Sequence, residues 1–194
     1  MNYHDSVLTY AQMLQADGGW LAEELAWTVL MPTSGTLPLN EVAQRVARSN
    51  QPAFVEGDFE DAAAANAVVV EATGDGAMVV DINMIAATPD PEFVAEISTN
   101  AKVWHVSWHT ALSRRMIYAV NRRVLAVIPL LDPAEAFGED LSAIQPELDA
   151  LADTQTAPWP TTEATALSLI ETRTGARLSL DWFEQPHRAV TVSY

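Results

Sequence analysis

The chain has 194 residues, of which 49% are hydrophobic and 19% charged, with no cysteine and a formal net charge of -16. The lack of cysteine excludes disulfides, thiolate nucleophiles and thiolate metal sites and makes a reducing cytoplasm the expected compartment, while the negative charge disfavours sequence-independent binding to nucleic-acid phosphates. A chain of this length buries about 70% of the surface its unfolded form exposes, so a single globular domain over residues 1–194 is expected.

The N-terminal residues Met1-Asn2-Tyr3-His4-Asp5 show no basic stretch followed by an apolar run, so no secretory leader is read there. No segment reaches the roughly 20 apolar residues of a membrane-spanning helix, and no membrane contact is expected. Asp5 or Ser6 is the expected cap of a first helix, with Val7, Leu8, Ala11 and Leu14 at helical spacing and Gly18-Gly19 as its stop. Residues 25–31 are rich in strand formers and end at Pro32, which predicts a buried strand in the middle of a sheet. Asn40 is the expected cap of a helix whose apolar face is Val42, Ala43 and Val46. Residues 56–61 read as a solvated acidic loop, and residues 62–65 as either a helical turn or a connector.

Two apolar runs, 67–72 and 77–82, flank Thr73-Gly74-Asp75-Gly76, a strong hairpin signal. Asp90-Pro91 supplies a cap and a first-turn proline ahead of Phe93, Val94 and Ile97. From Lys102 the pattern has period two, with Val103, His105 and Ser107 on one face and Trp104, Val106 and Trp108 on the other, predicting a half-buried strand with an aromatic inner face. Residues 116–120 and 124–129 predict a second hairpin around Asn121-Arg122, where a two-residue turn favours glycine in place of the arginine. Asp140 caps a helical stretch through Ile144, Leu148 and Leu151, with Pro146 restricting where it starts. Ala157-Pro158-Trp159-Pro160 then leads to a last long helix, capped by Thr161 or Thr162 and stopped by Gly175. Residues 178–183 read as a short turn or helix and residues 189–194 as a final strand. The sum is an α+β fold: a mainly antiparallel sheet built from hairpins, with helices packed on one side.

The order of these elements resembles that of an actinobacterial family of domains of unknown function. The resemblance lies in Trp27-Thr28-Val29, the helix with Val42 and Val46, the 68–82 hairpin, and the run Val103-Trp104-His105-Val106-Ser107-Trp108-His109-Thr110-Ala111-Leu112-Ser113-Arg114. It continues through Ile128-Pro129-Leu130 to Thr174-Gly175-Ala176-Arg177-Leu178. The chain departs from that pattern at His109-Thr110-Ala111 and at Asn121-Arg122, where the family carries asparagines and an Asp-Gly turn. The resemblance implies a fold and carries no activity.

No motif for a cofactor is present, and neither a cofactor nor a metal is expected. His105 and His109 stand four residues apart, a spacing that joins imidazoles on a helix but not on the strand read here; with Asp81 they give the only concrete form of a hydrolytic site. Ser113 lacks a nucleophile-elbow sequence and reads as a turn residue. Gly74-Asp75-Gly76 joins two strands and lacks phosphate-loop spacing. The acids Glu56, Asp58, Glu60 and Asp61 lack the alternating ligands of a calcium loop.

Charge distribution is more informative than its total. Residues 1–96 carry -13, residues 97–131 carry +5 and the remainder -8. The basic block places Arg114, Arg115, Arg122 and Arg123 on the second hairpin, either as a contact for an acidic protein partner or a second copy of the chain, or as partners for the chain's own carboxylates. Trp159, set between two prolines, is the aromatic residue best placed to anchor a contact if exposed. The leading expectation is therefore a non-catalytic, intracellular protein-binding domain that makes no direct contact with nucleic acid. The alternatives are an acidic mimic of nucleic acid that inhibits a DNA-binding protein and, last, the histidine-based hydrolase.

Overall fold

A computed structural model describes residues 3–82, 90–109 and 114–192. In chain order the elements are α1 (Tyr3–Gln15), α2 (Trp20–Glu23), β1 (Glu24–Pro32), α3 (Leu39–Ala47), β2 (Phe54–Gly57), α4 (Phe59–Ala64), β3 (Ala67–Thr73), β4 (Gly76–Asp81) and α5 (Pro91–Ile97). They continue with β5 (Ala101–His109), β6 (Arg115–Val120), β7 (Arg123–Pro129), α6 (Gln145–Ala152), α7 (Thr161–Thr174), α8 (Leu180–Phe183) and β8 (His187–Thr191). The strands form one antiparallel sheet in the order β2-β8-β3-β4-β1-β5-β6-β7. The α+β class and the antiparallel sheet agree with the sequence reading.

Strand β1 is central, as its continuous apolar character predicts. It pairs with β4 from Ala26–Asp81 to Leu30–Ala77 and with β5 along its whole length, from Glu24–His109 to Pro32–Ala101. Alternate residues feed two separate cores. Trp27, Val29, Trp104, Val106 and Trp108 pack beneath α1 and α7, whereas Leu30, Val79, Val103 and Ile117 pack beneath α3 and α5.

Helices thus cover both faces of the sheet, which corrects the one-sided packing expected from sequence. The same fact corrects the half-buried reading of β5, in which every residue from Val103 to Trp108 is buried, His105 and Ser107 included, and only Lys102 is exposed. Small and polar residues on that second face resemble solvent-facing positions in a period-two pattern; α5, docked across β5, β6 and β7, packs on that face. Buried on both sides, such a strand loses the clean apolar/polar alternation of a solvated antiparallel sheet.

Four further local expectations change. Helix α7 begins at Thr161 after Pro160 and has no side-chain cap, so Thr161 and Thr162 lie in its first turn. Helix α1 begins at Tyr3, and Ser6 is a buried helical residue that donates to a Glu171 oxygen at 2.8 Å, not a cap. Helix α3 begins at Leu39 after Pro38, with Asn40 inside its first turn and no side-chain cap. Residues 56–61 are no solvated loop. They run from the end of β2 through Asp58, which accepts from the backbone N–H of Glu60 and Asp61 at 2.9 Å each, into the first turn of α4. The Asp61 carboxylate returns to the Asp58 N–H and lies so close to Gly57 that a Cβ there would sit 2.3 Å from its oxygen. The capping box therefore requires glycine at 57. Residues 62–65 form the rest of α4 and its C-cap.

Both hairpins form. Thr73 faces Gly76 across a two-residue turn with Gly74 at φ 55°, and Val120 faces Arg123 across Asn121 and Arg122 at φ 49° and 68°. Two consecutive left-handed residues match the twist of the strands they join. The closing strand β8 inserts between β2 and β3 instead of lying at an edge. Among the described residues no helix is long and apolar enough to cross a membrane.

Candidate functional site

The four arginines of the basic block do not share one surface. Arg114 and Arg115 stand where β6 begins, and Arg122 and Arg123 lie at the hairpin tip, five residues away or about 17 Å along the strand. At the tip, Arg123 binds Glu139 at 2.6 Å, and the Arg122 backbone N–H donates to Ser98 Oγ at 2.8 Å. At the other end, Arg114 reaches the buried carboxylate of Glu163, in the first turn of α7, at 2.5 Å. Arg115 pairs across the sheet with Ser107 and Pro129.

Arg114 and Trp159 do come together. They line one concavity of about 180 Å³ whose wall also includes Leu131 and Gln155. Several constraints fix it. Gln155 donates to the Leu130 carbonyl at 3.3 Å and Thr154 shares a hydrogen bond with Thr162 at 3.0 Å, so the segment between α6 and α7 is tied to the end of β7. The Trp159 ring lies over the α1–α2 turn, its edge 4.0 Å from where a Gly19 Cβ would stand. Trp159 nevertheless keeps 53% of its surface exposed and Leu131 keeps 73%. Nothing in the sequence singles out Leu131, which ends an apolar run that reads as strand.

The histidines behave as strand residues. His105 is fully buried, with Nδ1 2.8 Å from the Thr28 hydroxyl. Burial drives its pKa down to about 3, with the Arg115 charge acting in the same direction, so the ring stays neutral. Among the described residues His105 Nε2 and Ser107 Oγ have no hydrogen-bond partner. His109, four strand residues or about 14 Å further on, lies 3.5 Å from Glu24, whose own pKa burial raises and His109 lowers. Asp81 faces Ala26, which separates it from Ser107 by one strand. No group of three or more metal-ligating side chains converges among the described residues. Ser113 lies outside them.

A second concavity, missed in the sequence, opens beside α4 and α8 with a volume of about 550 Å³. Its aromatic walls are Trp20, Phe59 and Phe183. Trp20 meets Phe183 edge-on at 5.7 Å and 86°, and Phe59 meets Phe183 at 5.3 Å and 39°. Behind them Trp182 donates to Glu71 at 2.7 Å and packs on His187 at 4.1 Å, which fixes the wall from the rear. The lining aromatics come from three separate stretches of chain, so no local motif announces them; the only local sign is Trp20 directly after Gly18-Gly19.

No family model, curated protein or solved structure matches the chain.

Proposed function

We propose that the chain is a non-catalytic protein-binding domain whose contact surface centres on Trp159, Leu131 and Arg114. The observation that carries this reading is the exposure of Trp159 and Leu131 on the rim of one concavity with an arginine in its wall. Tryptophan and arginine are the residue types most enriched where interfaces concentrate their binding energy. Binding is favoured over catalysis because His105 is neutral, enclosed and already bonded to Thr28, a poor arrangement for exchanging protons with a substrate.

The test is affinity capture from native lysate with three proteins: the native chain, Trp159→Ala/Leu131→Ser, and Arg122→Glu/Arg123→Glu. A partner held by the native chain and by the tip variant, but lost by a Trp159/Leu131 variant with native circular dichroism, is the expected result. Loss of a tryptophan anchor of this kind costs on the order of 2 kcal/mol, about 30-fold in affinity. Loss only in the tip variant would move the surface to Arg122 and Arg123, and unchanged capture in both would remove the reading.

A further inference from the structure

The larger concavity has a chemistry of its own, independent of the Trp159 surface. Three of its walls are aromatic, Trp20, Phe59 and Phe183, and three of its other lining residues are acids, Asp58, Glu60 and Glu184. Among the described residues none of its lining side chains is basic. We propose that this pocket binds a small alkylammonium compound, with the cationic head against the aromatic faces and the carboxylates setting the sign of the charge.

An anion would meet three carboxylates and no cation. A divalent metal needs oxygen or nitrogen ligands converging on one point, and no such group is found among the described residues. A neutral apolar ligand would use the rings but leave the acids without purpose.

A cation sheathed in methyl or methylene groups uses both features. Its carbon shell contacts the ring faces, its charge is attracted by their negative quadrupole, and the acids add Coulomb attraction without demanding a fixed coordination geometry.

The geometry suits such an occupant. Trp20 and Phe183 pack edge to face on one another at 5.7 Å, and with Phe59 they form one continuous aromatic wall of the concavity, on which Trp20 offers the most open surface. Phe59 and Phe183 are both only 8% exposed and rigidly backed, while Trp20 is 37% exposed and forms the accessible side. Asp58 is held by its two backbone hydrogen bonds, so the aspartate at the pocket is pre-positioned. A volume of about 550 Å³ lies within the range of small-molecule sites.

The experiment is a pair of titrations of the full chain at low salt, one with choline and one with its uncharged carbon isostere 3,3-dimethylbutan-1-ol. Each is followed by calorimetry and by the Trp20 indole N–H resonance, assigned with Trp20→Phe. Choline is expected to shift that resonance with a dissociation constant on the order of 1 mM and to bind at least about tenfold more tightly than the isostere, a difference of about 1.4 kcal/mol. Glu60→Gln/Glu184→Gln changes only exposed side chains and should remove most of that preference while leaving circular dichroism unchanged. Equal binding of choline and isostere overturns the proposal. So does a choline titration that leaves the Trp20 resonance unmoved, or a preference that survives the double substitution.

Discussion

At the residue scale the most consequential side chain is His105, and its consequence is a pH dependence. The ordinary imidazole pKa near 6.5 applies in the unfolded chain, and burial lowers it to about 3 in the fold. Between those values the unfolded chain binds a proton that the folded chain does not, so stability is complete above pH 6.5 and declines as pH falls toward 3. The slope is about 1.4 kcal/mol per pH unit once well below 6.5. Urea unfolding of the native chain and of His105→Gln should therefore diverge in pH dependence below pH 6.5, the variant lacking this share of the acid lability because glutamine does not titrate. Parallel curves would mean that the ring is accessible to protons in the fold. The sequence shows His105 on a strand with Ser107 and Val103 on its face, which is correct. It does not show that α5 packs on that face, because the packing depends on how a helix beginning at Pro91 docks across three strands.

At the element scale, legibility follows locality. The hairpins, the Asp90-Pro91 start of α5, the Asp140 cap and the Gly175 stop are each specified within a few residues, and each forms where the sequence puts it. Strand β2 was not legible, because its four residues gain strand character only by pairing with β8, more than a hundred residues away. The same limit applies to the aromatic pocket, assembled from α2, α4 and α8, and to Leu131, whose exposure depends on the segment after α6. The one local signal at odds with the observed turn is Arg122, held at φ 68° where a Cβ is disfavoured. Its backbone N–H serves Ser98 and survives substitution. Arg122→Gly should thus remove left-handed strain and stabilise the chain by up to about 1 kcal/mol, a Tm rise of roughly 2–4 °C at this size. A fall in Tm on scanning calorimetry would show that the arginine side chain stabilises the tip by more than its backbone strain costs.

At the scale of the whole molecule, charge and architecture oppose one another. Two apolar cores share one sheet and hold together a chain of 26 acids against 10 bases, most of them at the surface. Several arginines offset that excess within the chain. Arg114 and Arg173 reach the buried carboxylates of Glu163 and Glu147, which salt screens weakly, whereas Arg48–Glu96, Arg123–Glu139 and Arg188–Glu56 are exposed. Exposed pairs contribute about 0–1 kcal/mol each and weaken as salt is added. Repulsion among the remaining acids is also screened, and it acts over many more pairs of charges. Raising ionic strength from 0.01 M to 0.15 M shortens the Debye length from about 30 Å to about 8 Å, less than the separation of most surface acids but more than the length of an ion pair. Self-repulsion should therefore be relieved more than the ion pairs are weakened, and the chain should become more stable with salt. A Tm rise of roughly 2–4 °C, equivalent to about 1 kcal/mol, is expected on scanning calorimetry between those two concentrations of sodium chloride. A fall over the same range would assign the larger share of the surface energy to the three exposed pairs, and Arg48→Gln, Arg123→Gln and Arg188→Gln together would then abolish it.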